Sequence, residues 1–134
     1  MSDYVSKKAI RYKFKEVNDE IYDKYENYGM YSNNSLKEDY NLKNEMEVDY
    51  AINYQKDYES EMYLDIPLNK TYGTIAGDFG ISRLINDEES EEYLEDFKKV
   101  IPTITKDDLR YVFYCYYNGV DAPSCYDVGE WNNN

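Results

Sequence analysis

The run Glu45-Met-Glu-Val-Asp-Tyr-Ala-Ile-Asn-Tyr-Gln55 constrains this chain more than any other stretch. Met46, Val48, Tyr50, Ile52 and Tyr54 occupy every second position, and Glu45, Glu47, Asp49, Ala51, Asn53 and Gln55 lie between them. Period-two alternation of that length predicts a β-strand with one buried and one wet face. The wet face opens with three carboxylates, each about 6.6–6.8 Å from the next at two strand rises. A neighbouring run repeats the pattern: Met62, Leu64, Ile66 and Leu68 alternate with Glu61, Tyr63, Asp65 and Pro67. The two runs predict an antiparallel hairpin whose acidic face continues through Glu61 and Asp65. Pro67 cannot donate to a ladder, so its end should lie at an edge or past the pairing.

Upstream, Ile10, Tyr12 and Phe14 alternate with Arg11, Lys13 and Lys15. This favours a strand to about Val17, then a helix N-capped by Asn18 with Asp19 and Glu20 in its first turn. Ile10, Phe14, Val17, Ile21, Tyr25 and Tyr28 also fit helical spacing, so one long helix over 6–28, ended at Gly29, is the alternative. Residues 29–35 have loop composition, with a short helical stretch from Leu36. The Gly-rich segment 70–86 lacks the endings of phosphate and dinucleotide loops and reads as a turn or loose helix. Asp87–Lys99 carries seven acids in its first ten residues, an apolar stripe of Tyr93, Leu94 and Phe97 continued by Val100 and Ile101, and lysines at its close. That order suits a helix dipole, and Pro102 stops the helix.

Thr105-Lys-Asp-Asp resembles a capping box, followed by Leu109, Val112, Phe113, Tyr116 and Tyr117 at i, i+3, i+4, i+7 and i+8. This predicts a helix over 106–118, ended by Gly119, as the main element covering the sheet. Residues 120–127 read as a Pro-containing loop and 128–134 as a frayed tail. The expected fold is a single α+β domain spanning 1–134, a small antiparallel sheet covered by helices. Val48, Ile52, Leu64, Ile66, Leu109, Val112 and Phe113 are its expected core.

Charge limits function. The 134 residues carry 28 acids against 15 Lys and Arg, with no His, for a net charge of −13. Residues 1–15 hold Lys7, Lys8, Arg11, Lys13 and Lys15 against Asp3, and the remainder is strongly acidic. Such a body repels nucleic acid and anionic membranes and attracts basic protein surfaces. Without His, the commonest general base and metal ligand is missing, and neither cysteine can be activated by one. A loop starting at Asp87 has Glu92 where a calcium loop needs Gly. No enzymatic activity, metal or cofactor is therefore expected. No apolar run reaches membrane-spanning length and no signal peptide is evident, so a cytoplasmic location is expected, with Cys115 and Cys125 as reduced thiols. A bridge closing their ten-residue, Pro-containing segment stays open as the alternative.

Two acidic runs, Glu45-Met-Glu-Val-Asp and Asp87-Glu-Glu-Ser-Glu-Glu, stand out, and 18 Tyr supply rigid amphipathic rings for surfaces. In size, charge, Tyr content and lack of catalytic groups the chain resembles the small phage-encoded anti-CRISPR and anti-restriction proteins. The resemblance implies an inhibitor that binds a basic nucleic-acid groove of a CRISPR effector or restriction enzyme in a bacterial host, as a DNA mimic, without binding DNA itself. Glu45, Glu47, Asp49, Asp87, Glu88, Glu89, Glu91 and Glu92 are the candidate partner-binding residues. The basic segment 7–15 would then pair with the acidic body or touch RNA. The competing expectation is an adaptor that binds a protein partner through a Tyr-rich patch, with its charge serving solubility.

Overall fold

A computed structural model describes residues 3–28, 33–53, 59–73, 81–118 and 124–126. Six strands are described: β1 (Asp3–Lys13), β2 (Glu47–Asn53), β3 (Glu59–Gly73), β4 (Ile81–Leu84), β5 (Leu109–Asn118) and β6 (Ser124–Tyr126). Three helices join them: α1 (Asp19–Tyr25), α2 (Leu36–Tyr40) and α3 (Asp87–Val100). The sheet is antiparallel in the order β2-β3-β1-β5-β4, with β6 also pairing β5. The fold is thus the α+β class expected, with the N-terminal strand at its centre.

The alternating runs behave as strands for the expected reason. Met46, Val48, Met62, Leu64 and Ile66 are buried on one face together with Ile10, Tyr12 and Phe14 of the β1 segment. Onto that face pack Tyr25 from α1, Leu36 from α2, and Phe97 and Val100 from α3. An edge-on contact of Tyr12 with Phe14 (5.3 Å) and a tilted one of Phe14 with Tyr25 (5.0 Å) seat α1 against the end of β1. Asn18 caps α1 as expected, its side chain accepting from the Ile21 N–H. The strand ends at Lys13 rather than Val17, and a single helix over 6–28 is excluded. β3 runs past Pro67 to Gly73. Pro67 lies beyond the last β2 partner and beside a bulge, where Lys8 pairs with Asn69 and Ala9 with Pro67, so its missing N–H breaks no regular ladder.

Several expectations fail on tertiary grounds. The helix expected over 106–118 is instead a short 3-10 turn at Lys106–Asp108 followed by β5. The Thr105 cap does form, its N–H donating to the Asp108 carboxylate at 2.9 Å, but it starts one turn only. The start of β5 is covered on both faces, with Leu109 in the helix-side core and Arg110 and Val112 buried on the opposite face. A strand buried on both faces reads as a continuous large-residue run, and in such a run helical spacing is satisfied by accident. Val and aromatic residues then favour the strand. Phe113, expected in the core, is only half-buried, and Leu68 is 40 % exposed because it falls beyond β2. The covering role assigned to 106–118 belongs to α3. The segment 70–86 is strand at both ends, through Gly73 and from Ile81, and Ser124–Tyr126 is a strand rather than loop. Gly29, Gly119, residues 74–80 and the tail 127–134 lie outside the described residues, as does the side chain of Ile52.

β2 and β6, although on opposite sides of the sheet, approach within 8 Å between Cα atoms, so the sheet curls. The face turned away from the helices becomes an interior. It buries Lys7, Arg11, Tyr63, Asp65, Arg110 and Val112.

Candidate functional site

Charge in this protein falls into two groups with opposite fates. The first lies inside the curl. Arg11 of β1 stands opposite Asp65 of β3, which stands opposite Glu47 of β2. The Asp65 carboxylate accepts from Arg11 Nε at 2.8 Å and Nη2 at 2.9 Å, and from Lys7 Nζ at 2.7 Å. Asp49 lies 3.4 Å from both Lys7 Nζ and Arg11 Nη2, and Glu47 also pairs with Lys7. The guanidinium of Arg11 stacks 3.8 Å above the Tyr63 ring, and the Tyr63 hydroxyl donates to Glu61, which pairs with Lys13 at 3.3 Å. Arg110 Nε donates to the Ser82 hydroxyl at 2.6 Å.

Burying charge is costly unless every charge is paired and hydrogen-bonded. Burial alone would raise the Asp65 carboxyl, but Arg11 and then Lys7 outweigh it and hold the group at about 2. For Lys7 the same opposition favours the cation. Burial works against it, and Asp65, Asp49 and Glu47 overcome burial, raising its pKa well above the ordinary lysine value. Both groups are therefore charged at neutral pH.

The second group is on α3. Its start is set by a capping box: Asn86 accepts from the Glu89 N–H, and the Glu89 carboxylate accepts from the Asn86 N–H, each at 2.9 Å. Glu89 also takes a two-pronged contact from Arg83 at 2.7 and 2.9 Å, which holds its carboxyl below the usual range. Asp87 pairs with Lys106, and this pair lowers its carboxyl as well. At the other end, buried Asp96 accepts from the backbone N–H groups of Lys43 and Asn44 and from the Asn44 side chain at 2.9, 3.0 and 3.0 Å. Lys99 reaches the Asn41 carbonyl at 2.9 Å. The turn leading into β2 is thereby clamped to the helix. Phe97 and Val100 face the core, leaving Glu88, Glu91, Glu92 and Glu95 on the solvent side.

The eight candidate residues thus separate. Glu47 and Asp49 have side chains only 26 % and 21 % exposed and are turned toward Lys7 and Arg11. The face expected to be wet is the inside of the curl, and Asp65, expected on that wet face, is completely buried. Glu45 is on the surface, 72 % exposed and 3.8 Å from Lys37. Glu89 is engaged by its cap and Arg83, and Asp87 by Lys106. Glu88, Glu91 and Glu92 remain on the open face of α3, and Glu95 beside them lies 3.6 Å from Lys43. The basic segment 7–15 turns inward at Lys7 and Arg11, and its Lys13 and Lys15 pair with Glu61 and Asp108. Sequence reasoning missed Asp65 and Asp96 as organising carboxylates. A signal existed for Asp65, since Arg11 and Asp65 are charges inside otherwise alternating runs on strands that could pair. Asp96 carried none.

Among the described residues, no group of three His, Cys, Asp or Glu side chains is arranged to hold a metal ion, and no helix is long and apolar enough to cross a membrane. Comparison with protein-family models, curated proteins and solved structures finds no match.

Proposed function

We propose that this protein is a non-enzymatic inhibitor that seats the acidic face of α3 in a basic, nucleic-acid-binding groove of a bacterial defence nuclease, a CRISPR effector foremost. The observation that carries the reading is the open row on α3. The β2 carboxylates are neutralised inside the sheet, whereas Glu88, Glu91 and Glu92 point to solvent and, among the described residues, no ion pair engages them. Asp87, Glu88, Glu91, Glu92 and Glu95 span eight residues of rise, about 12 Å, or roughly one charge per 3 Å. Duplex DNA presents one charge per ~1.7 Å of axis and a single strand one per ~3.4 Å. The helix therefore approaches a single strand in linear charge density over about a third of a duplex turn of ~34 Å, and arginines that hold phosphates can hold carboxylates with charge-assisted bonds. The ion pairs at Asp87 and Glu95 are exposed and weak, so a partner's arginines can replace them. Such a protein works in the host cytoplasm, where its target is.

A Tyr-patch adaptor has less support from the same structure. Among the described side chains Tyr12, Tyr25 and Tyr63 are buried, Tyr28, Tyr40, Tyr93 and Tyr111 half-buried and Tyr22 exposed, which assigns most of these rings to packing. The deciding experiment is a pull-down from the native host, followed by DNA competition against the captured partner. The triple change Glu88→Lys, Glu91→Lys, Glu92→Lys should abolish capture at unchanged melting temperature, and capture should fall steeply with salt. A partner without a basic groove, or capture that survives the triple change, would replace this reading with the adaptor.

A further inference from the structure

We infer that buried carboxylates, rather than apolar packing, set the register of the edge strand β2. The apolar face cannot do so alone. Met46, Val48 and Tyr50 recur every two residues, so a slip by two in either direction still sets an apolar or aromatic residue opposite Leu64; only a slip by one reverses the faces. In the observed register Glu47 pairs with Asp65, Val48 with Leu64 and Asp49 with Tyr63. Slipping one way would put Asp49 opposite Asp65 and Ala51 opposite Tyr63. The carboxylate now 3.4 Å from both Lys7 and Arg11 would then be replaced by a methyl group. Slipping the other way would put Glu45 opposite Asp65 and Glu47 opposite Tyr63, which keeps two carboxylates beside the cations. The charge cluster discriminates poorly against that second register.

Asp96 supplies the missing discrimination. Either slip carries Lys43 and Asn44 about 6.6–6.8 Å along the strand direction. That distance would strip the fully buried Asp96 of all three N–H donors. Asp96 is therefore a positioning residue acting at the entry to β2, and Asp49 a second check at its middle. Together they decide which acids of the 45–49 run are internal and which face solvent, and Glu45 is left outside.

The test is backbone NMR on the full chain, reading cross-strand contacts between Val48 and Leu64 for the observed register and between Met46 and Leu64 for the slipped one. The parent should show the first set alone. Asp96→Asn should add the second set at about 10 % or more, from a minor state otherwise below about 1 %. The milder Asn44→Ala, which removes one donor and keeps the carboxylate, should add it at a lower level and carries the test if Asp96→Asn does not fold. Val48→Ala should lower the melting temperature and leave the register single. The inference is overturned if the folded variants at Asp96 and Asn44 keep one register, or if Val48→Ala alone produces the second.

Discussion

Asp65→Asn is the sharpest probe of the buried cluster. It keeps the shape of the side chain while removing the charge that faces Lys7 Nζ at 2.7 Å and Arg11 at 2.8 and 2.9 Å. Removing one partner of a buried ion pair costs about 3–5 kcal/mol, because the remaining charges stay buried without their counter-ion. A domain of 134 residues loses about 0.3 kcal/mol of stability per degree near its midpoint, so the melting temperature should fall by about 11–18 °C. The acid limb offers an independent check. The carboxyl is held at about 2 when folded, against an ordinary 3.8. Its contribution is fully present above about pH 4 and disappears as pH falls through about 2. The shift corresponds to about 2 kcal/mol. Thermal and urea melts by circular dichroism from pH 7 to pH 2 measure both effects. The variant should start lower and lose less between pH 4 and 2 than the parent. A variant melting within about 3 °C of the parent, with the same acid slope, would show that Asp65 does not close the network.

Three further outcomes are expected. Phe97→Ala, which empties a fully buried position where α3 meets the sheet, should cost about 3–5 kcal/mol in urea melts without changing the fold seen by far-UV circular dichroism. Asn86→Ala, which leaves the α3 capping box without its acceptor, should cost about 1 kcal/mol, or about 4 °C by calorimetry. The β5–β6 register sets Cys115 against Tyr126 and Cys125 against Tyr116 rather than one another, so mass spectrometry after alkylation without reductant should show both thiols modified.

The local elements were legible wherever the physics is local. The alternation that makes strands of Glu47–Asn53 and of 61–66, the Asn18 cap, the start at Leu36 and the acid-to-base order of α3 each depend on neighbours within a few residues, and each appears in the structure. Charge was legible in amount and order along the chain but not in direction. Alternation separates Glu47 and Asp49 from Met46 and Val48; it does not say whether their face meets water or the inside of a curled sheet. That depended on Lys7 and Arg11, some forty residues earlier, arriving beside β3 through a central N-terminal strand. The same long-range placement made Leu109–Asn118 a strand. Leu109 is buried toward the helices and Arg110 and Val112 on the opposite face, and a segment covered on both faces carries no period for a sequence to display. What remained on the surface, the Glu88, Glu91 and Glu92 face of α3, was settled by which side of the helix Phe97 and Asp96 turn inward.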